Sequence, residues 1–247
     1  MTTQESPGHN LLLAALPVET FQRLIHHLEL VHMNYGQVIY ESGRALNYFY
    51  FPTSCVVSKV NFTVDGTSSE LAQVGNEGFV GLGLLMGGGT MTHQAIVSRK
   101  GYSYRLRKQL FMHDFDHQYG LCGDIMFLQL LLRSVQAMIA QIVQTAACNR
   151  HHSIYQQLSR WLLVNLDRQA SNELIVTQDH IASMLGVRRE SVTEAAGKLL
   201  QKGLISYSRG HINVLSRPGL EVQVCECYNV LKTEYNRLRP MPTDMAA

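Results

Sequence analysis

The chain has 247 residues, of which 46% are hydrophobic and 16% are charged. This length leaves room for two modest domains, and the composition excludes a largely disordered or fibrous protein. The formal net charge of +2 is too small to identify a nucleic-acid partner by itself.

The N-terminal residues lack the basic and then apolar order of a signal peptide. The most apolar run, 128–143, is interrupted by Arg133 and several glutamines, which argues against a membrane span. We therefore expect a cytoplasmic protein with no membrane partner. The five cysteines follow no regular framework, which fits reduced thiols in that compartment; they are Cys55, Cys122, Cys148, Cys225 and Cys227.

Residues 11–30 have helical spacing that is interrupted at Pro17, a residue favoured in the first turn of a second helix. From residue 31 to residue 110 the pattern changes to short runs of β-branched and aromatic residues. Turn sequences such as Asp65-Gly66 separate these runs. Several short strands with such turns predict an all-β sandwich or barrel.

From Gly123 the apolar residues recur alternately three and four positions apart, which predicts a helix with an a/d seam. The seam consists of Ile125, Leu128, Leu132, Val135, Ile139 and Ile142. A seam of this length favours a partner helix, as in a parallel homodimer, and the alternative is a single amphipathic core helix in a monomer. A second stripe is expected to pack on the β region and contains Phe127, Leu131 and Met138.

Residues 149–166 are predicted to form the first helix of a second domain, with the single tryptophan, Trp161, in its core. His151 and His152, near the start of this helix, are expected to be exposed to solvent. Residues 173–176 are a candidate short strand.

The stretch 177–214 has the pattern of a winged helix-turn-helix. Thr177 is suited to cap a first helix at residues 178–185, and Gly186 tolerates the left-handed backbone that ends it. A second helix at about residues 188–201 is expected to be amphipathic. Its expected buried residues are Val192, Ala195 or Ala196, Leu199 and Leu200, and its expected exposed residues are Arg188, Arg189, Ser191, Glu194 and Lys198.

Two short helices joined by a tight turn, the second beginning with arginines, can place side chains on base edges in a major groove. A helix pair of this kind also occurs in proteins that never bind DNA. The residues after Gly203 favour the DNA interpretation, because two short strands around Ser208-Arg209-Gly210 predict a wing whose tip contacts phosphates. Residues 149–247 hold 12 basic and 9 acidic residues, whereas residues 1–148 hold 9 and 10, so the charge asymmetry has the matching sign.

Beyond the wing, Ser216 and Pro218 indicate the start of a further helix. Its apolar face would contain Leu220, Val224, Cys227, Leu231, Tyr235 and Leu238. Structural zinc sites usually pair two cysteine couples or add histidines, and the histidine nearest to Cys225-x-Cys227 in the sequence is His211. We therefore expect two partly buried thiols and no metal.

The helix-turn-helix stretch resembles the DNA-binding domain of the Crp/Fnr family of bacterial transcriptional regulators. The resemblance lies in Thr177-Gln178, Ile181, Gly186, Arg189-Glu190-Ser191-Val192, Leu199-Leu200 and Gly203-Leu204-Ile205. It implies that Arg189 and Glu190 contact bases. An arginine usual one turn later is Glu194 here, and Arg188 holds a position often occupied by serine. We therefore expect an operator that differs from the best-known one of the family.

Residues 31–110 resemble the β-roll that precedes this domain in the family. The similar residues are Gly36, Tyr40 and Gly43, and the segment Gly75-x-x-Gly78-Phe79-Val80-Gly81. In relatives that bind cyclic AMP, the resemblance implies that a glutamate holds the ribose and that an arginine about ten residues later holds the phosphate. The corresponding stretch, Gly81-Leu82 and residues 83–97, contains neither, so we predict no cyclic-AMP binding in the usual mode. No N-terminal cysteine cluster is present to hold an iron–sulfur centre, and we expect no cofactor.

The expected fold class is α+β. It comprises a β-roll resembling a cyclic-nucleotide-binding domain at residues 1–122, a dimerisation helix at 123–148 and a winged helix-turn-helix domain at 149–247. The expected function is a homodimeric transcriptional regulator that binds a pseudo-palindromic operator in double-stranded DNA, with RNA polymerase as a candidate partner and an unknown small-molecule effector. The expected base contacts are Arg188, Arg189 and Glu190, with Glu194 as a modifier, and the expected backbone contacts are Thr177, Gln178, Ser191, Lys198, Ser208, Arg209 and His211.

Two other functional classes remain open. A small-molecule sensor, whose main activity is ligand binding by the β-roll, would be favoured by a tightly bound nucleotide such as a cyclic dinucleotide on the purified protein. An enzyme is not favoured, because the sequence contains no nucleophile–base pair at motif spacing and no cofactor fingerprint.

Overall fold

The structure is a computed structural model that describes residues 6–112, 125–169 and 171–238. Within these residues the chain forms two units. The first contains residues 6–59, 73–112, 125–139 and 235–238, and the second contains residues 60–72, 140–169 and 171–234.

The N-terminal helices pack on the β region through one buried asparagine. A 3-10 helix at Pro7–His9 is followed by α1 (Leu11–Ala14) and α2 (Val18–Ile25), so the chain is interrupted around Pro17 as predicted. The Asn10 side chain caps α1 by accepting from two backbone N–H groups. Its amide nitrogen donates to the carbonyls of Pro52 and Gly78, each at 2.9 Å, which fixes the helix to the strands.

The predicted all-β region is confirmed as seven strands. They are β1 (Glu29–Met33), β2 (Val38–Tyr40), β3 (Tyr48–Pro52), β4 (Val56–Phe62), β5 (Ser68–Val74), β6 (Gln94–Arg99) and β7 (Gly101–Arg107). One sheet has the order β1-β7-β3 and the other has the order β2-β6-β4-β5. Two short helices accompany them, α3 (Leu82–Leu85) and α4 (Lys108–Met112), so the segment after Arg107 is helical and not extended as expected.

Aromatic residues fill the core between the strands and the helices of the first unit. The rings of Phe49 and Phe111 lie 4.4 Å apart between centroids, and Phe127 lies next to Phe111 at 6.2 Å. Phe127 and Leu131 are fully buried in this core, which confirms the predicted packing of the second helical stripe, and Met138 is buried too.

Lys59 is a buried cation in strand β4, only 1% exposed, with its Nζ against the sulfur of Met138. Burial lowers the pKa of Lys59 from 10.5 to about 8 and, together with the charge of Lys59, lowers the pKa of His93 to about 4. His93 is therefore neutral at physiological pH, and its ring nitrogen lies 2.8 Å from the hydroxyl of Tyr40.

We expect Lys59→Met to stabilise the protein at pH 7, because a buried ammonium group is replaced by an apolar side chain of similar length. The displacement of the pKa from 10.5 to about 8 corresponds to about 3 kcal/mol in the free energy of unfolding. The unfolded chain keeps this proton up to higher pH than the folded chain, so the wild type gains stability between pH 8 and 10.5 and the difference shrinks there. Urea unfolding at several pH values measures it, with exposed Lys100→Met as the control. A constant difference across that pH range would contradict this explanation.

The long helix α5 (Ile125–His151) has 27 residues. Its expected start at Gly123 lies outside the described residues. It continues through His151, so residues 149–151 belong to it and not to the next helix, because the first capping signal lies at Ser153. By length and composition α5 could cross a membrane, a test that an apolar helix of a soluble protein also passes.

The second unit is built mainly from helices around a three-stranded sheet. Its elements after α5 are α6 (Ile154–Leu166), β8 (Glu173–Ile175), α7 (Gln178–Leu185), α8 (Arg189–Gln201), β9 (Ile205–Ser208), β10 (His211–Val214), α9 (Arg217–Gln223) and α10 (Glu226–Leu238). A capping box between Ser153 and Gln156 starts α6, and Trp161 is buried as predicted. The sheet order is β8-β10-β9, so the expected strand near residue 173 pairs with the wing.

The predicted single helix after the wing is wrong. The backbone of Val224 is extended, and it ends α9 before α10 begins at Glu226. Leu220, Cys227 and Leu231 are buried as expected, while the side chain of Leu238 lies outside the described residues.

Candidate nucleic-acid interface

Helix α7 has the bounds that the sequence predicts, because both of its ends carry local signals. The Thr177 hydroxyl accepts from the backbone N–H of His180 at 3.2 Å. At the other end Gly186 has a φ of 66°, a left-handed conformation that glycine adopts without strain. Since its oxygen already caps the helix, Thr177 positions the first turn of α7.

Helix α8 packs against α7 through one apolar face. Val192 and Leu199 are fully buried, and both Ala195 and Ala196 are buried beside them. Leu200 was expected in this face, but its side chain is 49% exposed. It follows Leu199 by one residue, which rotates it by about 100° around the helix and away from the core.

The N-terminal turn of α8 presents its charged side chains to solvent. Arg188 is the N-cap residue and not the first helical residue, and its side chain makes no capping hydrogen bond. Arg188, Arg189 and Glu190 are all exposed, and Ser191 is half-buried. An Nη1 atom of Arg189 lies 3.5 Å from a carboxylate oxygen of Asp179 on α7, and both side chains are more than 60% exposed. Water screens such a pair, so Arg189 can leave Asp179 for another acceptor.

Two contacts on this surface were not predicted from the sequence. The hydroxyl of Thr193 donates to the side-chain oxygen of Gln178 at 2.7 Å and bridges α8 to α7. Lys198 donates to Glu194 one turn before it at 2.7 Å, which lowers the pKa of Glu194. Glu194 is thus partly neutralised by its own helix, although the spacing of the two residues already favoured this pair.

The wing is a β-hairpin with a two-residue turn, and this turn lies beside the start of α7. Ser208 pairs with His211, and both residues between them have positive φ, 45° at Arg209 and 84° at Gly210. The carbonyl of Gly210 accepts from the N–H of Val176 at 2.7 Å. Ser208, Arg209 and His211 are exposed, but a ring nitrogen of His211 lies 2.7 Å from a carboxylate oxygen of Glu173. Arg209 is therefore the exposed cation of the wing tip.

A cluster of cysteine and histidine side chains in this unit joins residues that lie far apart in the sequence. Three cysteines, Cys148, Cys225 and Cys227, are buried and lie together with the imidazole of His152. The sulfur atoms of Cys148 and Cys225 lie 3.6 Å apart, and the hydrogen bond between them lowers the pKa of Cys225 to about 6. The His152 side chain is only 16% exposed, so the expectation that it faces solvent is wrong.

Two family models match this chain. The model of the Crp-like helix-turn-helix domain matches residues 156–222, and that of the cyclic nucleotide-binding domain matches residues 30–116. Together the two models cover more than half of the chain, and the long helix α5 lies between the two matched ranges. The sequence matches none of the curated proteins with which it was compared.

Solved structures share the fold at low sequence identity. A CRP-family transcriptional regulator from Thermus thermophilus has a TM-score of 0.65 and 19% identity, over 78% of this chain and 95% of that one. FixK2 from Bradyrhizobium japonicum has a TM-score of 0.64 and 14% identity, over 80% and 98%. The c-di-GMP responsive global regulator CLP from Xanthomonas campestris has a TM-score of 0.64 and 16% identity, over 81% and 100%. With a nucleotide-binding-type β-roll followed by a Crp-like helix-turn-helix, the chain belongs to the Crp/Fnr family of transcriptional regulators.

Proposed function

We propose that this regulator binds a pseudo-palindromic operator as a homodimer and acts in the cytoplasm without catalytic activity. One observation supports the proposal most directly, namely the exposed Arg188-Arg189-Glu190 turn at the start of α8. This turn has the position and the chemistry of a recognition helix that enters a major groove. The base edges would be contacted by Arg188, Arg189 and Glu190. The DNA backbone would be contacted by Gln178, Ser191, Lys198 and the wing residues.

The outer face of α5 supports the homodimer. Within the predicted seam, Ile125, Leu132 and Ile139 are 70%, 52% and 54% exposed, and Val143 continues this line at 57%. The other seam residues, Leu128, Val135 and Ile142, are half-buried. Exposed aliphatic side chains with heptad spacing can be buried against the same side chains of an identical parallel helix, which stabilises the pair of helices. The two-fold axis of such a dimer would set two recognition helices about 34 Å apart, one turn of B-DNA.

The proposed regulator is active without cyclic AMP. The segment between β5 and β6, where the resemblance expects an acid and a base, forms the apolar helix α3, whose Leu82 and Leu84 are buried. A cyclic phosphate there would lack the charge-assisted hydrogen bonds that such sites use. As functional domains we propose a β-roll at 1–122, a dimerisation helix at 123–148 and a DNA-binding domain at 149–247.

Selection of bound sequences from a random DNA pool tests this function. The untagged full chain is used at about physiological salt, first without ligand and then with added cyclic AMP or a cyclic dinucleotide. A two-fold symmetric motif that is recovered without ligand is the expected result. Recovery of the motif only with a cyclic dinucleotide would favour a ligand-dependent sensor. Salt-sensitive binding without any motif under all conditions would overturn the proposal.

Arg209→Ala is expected to weaken binding to operator and to unrelated DNA by similar factors, because a phosphate contact carries no sequence information. The slope of log K against log salt concentration should become less steep by about 1. Fluorescence anisotropy titrations on both DNAs at several salt concentrations measure this. Exposed Lys100→Ala removes one charge from the first unit and should leave the slope unchanged. An operator-specific loss in Arg209→Ala would instead assign base contact to the wing.

A further inference from the structure

The strongest unassigned feature of the chain is the cluster of Cys148, His152, Cys225 and Cys227, hereafter the Cys3His cluster. Each residue offers one ligand atom, and all four atoms lie within 4.8 Å of one another. Cys148 lies in the last turn of α5, and His152 directly follows the last residue of that helix. The backbone N–H of His152 donates to the carbonyl of Cys148 at 3.0 Å, so the helical turn continues to His152 and sets the two side chains one turn apart. Cys225 precedes α10 and Cys227 is its second residue.

The break between α9 and α10 explains how both members of the Cys225-x-Cys227 pair reach this point. In a continuous helix, residues two positions apart lie about 200° apart around the axis, so only one sulfur would face α5. The extended backbone of Val224 ends α9 and leaves Cys225 outside any helix. Both cysteines are then at most 3% exposed and pack with Cys148.

Two of the distances between ligand atoms match those around a single tetrahedral ion. With bonds of about 2.3 Å to sulfur and about 2.0–2.1 Å to nitrogen, a tetrahedral zinc ion holds two sulfurs about 3.8 Å apart. The same geometry places a sulfur and a nitrogen about 3.5 Å apart. In the protein Cys148 and Cys225 have their sulfurs 3.6 Å apart, and the sulfur of Cys227 is 3.6 Å from Nδ1 of His152. An iron–sulfur cluster contains several iron and sulfide ions and needs its ligands farther apart.

The surroundings of the cluster complete a metal site. Nε2 of His152 lies 3.2 Å from a carboxylate oxygen of Glu226, so the imidazole is oriented with Nδ1 towards the sulfurs. A carboxylate on the far nitrogen of a metal-bound histidine is a common outer-shell contact, and it fixes the tautomer. Three thiolates, one neutral imidazole and a divalent ion carry a net charge of −1. The guanidinium of Arg160, which is 6% exposed and acts electrostatically on Cys148 and Cys227, offsets it.

We propose that the Cys3His cluster binds one zinc ion per chain and fastens the end of α5 to the start of α10. The three cysteines bind as thiolates, so each one that still carries its proton releases it to solvent, and Nδ1 of the imidazole of His152 supplies the fourth electron pair. All four positions of the tetrahedron are taken by protein, which makes the site structural and not catalytic. This site is independent of the proposed DNA contacts, because none of its ligands lies on α7, α8 or the wing.

Metal analysis of the untagged full chain tests the proposal directly. After dialysis against metal-free buffer with reductant, elemental analysis by inductively coupled plasma mass spectrometry should find one zinc ion per chain. Replacement by Co²⁺ should give the intense ligand-field bands of tetrahedral cobalt and a thiolate-to-cobalt charge-transfer band. A reduced wild type with no bound zinc that also fails to give these bands would overturn the proposal.

Matched variants assign the ligands. Glu226→Gln removes an outer-shell partner, so it should weaken zinc binding by about 10–100-fold. His152→Ala and Cys225→Ser each remove a ligand, so each should weaken zinc binding by more than this. The controls are His151→Ala, the exposed neighbour of His152, and Cys55→Ala, a buried cysteine of the β-roll. Both should retain one zinc per chain. Equal zinc affinity in His152→Ala and His151→Ala would overturn the proposed ligand set, and the wild-type cobalt spectrum decides the matter if a ligand variant fails to fold.

Discussion

Leu132→Glu is expected to convert the proposed homodimer into a monomer and to lower operator affinity by about 100-fold. Leu132 is 52% exposed in the single chain, in the middle of the seam of α5. Full burial of one leucine side chain contributes about 1.5–3 kcal/mol, so covering the exposed half of Leu132 in both chains contributes about 1.5–3 kcal/mol in total. Dimer affinity should therefore fall by a factor of about 10–100 from this loss, and the repulsion between two facing carboxylates should lower it further.

Analytical ultracentrifugation over a range of protein concentrations measures the dimer, and anisotropy titration with a full operator measures binding. The control is Val64→Glu, which places the same charge at an exposed valine in the turn between β4 and β5. A Leu132→Glu protein that stays dimeric would show that the outer face of α5 is not the dimer interface. A wild type that is monomeric at high concentration would refute the dimer itself.

Arg189→Ala is expected to remove sequence preference while leaving most of the general affinity for DNA. A bidentate arginine–guanine contact is worth about 1–3 kcal/mol of discrimination, so operator affinity should fall about 10-fold to 100-fold in each half-site. Affinity for unrelated DNA should change little, because the proposed contact of Arg189 is to a base edge and not to a phosphate. The protein should remain folded, since the contact of Arg189 with Asp179 is an exposed pair at 3.5 Å.

Competition between operator and unrelated duplexes at fixed salt measures this preference, and Lys100→Ala provides the charge-matched control. Operator preference that survives in Arg189→Ala would place the base contacts elsewhere on α8. Arg188, immediately before the helix, would then be the next residue to test.

Most of the DNA-binding unit could be predicted from the sequence because its signals are local. Thr177 and Gly186 determine both ends of α7 within a few residues, and the hairpin around Arg209-Gly210 follows from its turn sequence. The β region was predictable as a class but not in its sheet order, since strand pairing joins distant parts of the chain. The exposure of Leu200 was not predicted, because helical spacing identifies the residues at the centre of a buried face more reliably than those at its edge.

The Cys3His cluster could not be predicted, because 77 residues separate Cys148 from Cys225. The sequence did contain a clue, namely the i, i+4 spacing of Cys148 and His152, but the helix was expected to end between them, and it ends at His151. The break at Val224 was equally hidden, since the apolar spacing around it also fits one continuous helix. Long-range proximity of this kind depends on the packing of several elements and not on any local pattern.

The backbone conformation of the wing tip affects both the stability of the fold and the position of an exposed arginine. Arg209 adopts a φ of 45°, the only described non-glycine residue with positive φ. A side chain in this conformation costs about 1 kcal/mol or more relative to glycine. The fold thus tolerates local strain at an exposed cation of the wing tip. Under the proposed phosphate contact of Arg209, a substitution that relieves this strain would also remove a charge that attracts DNA.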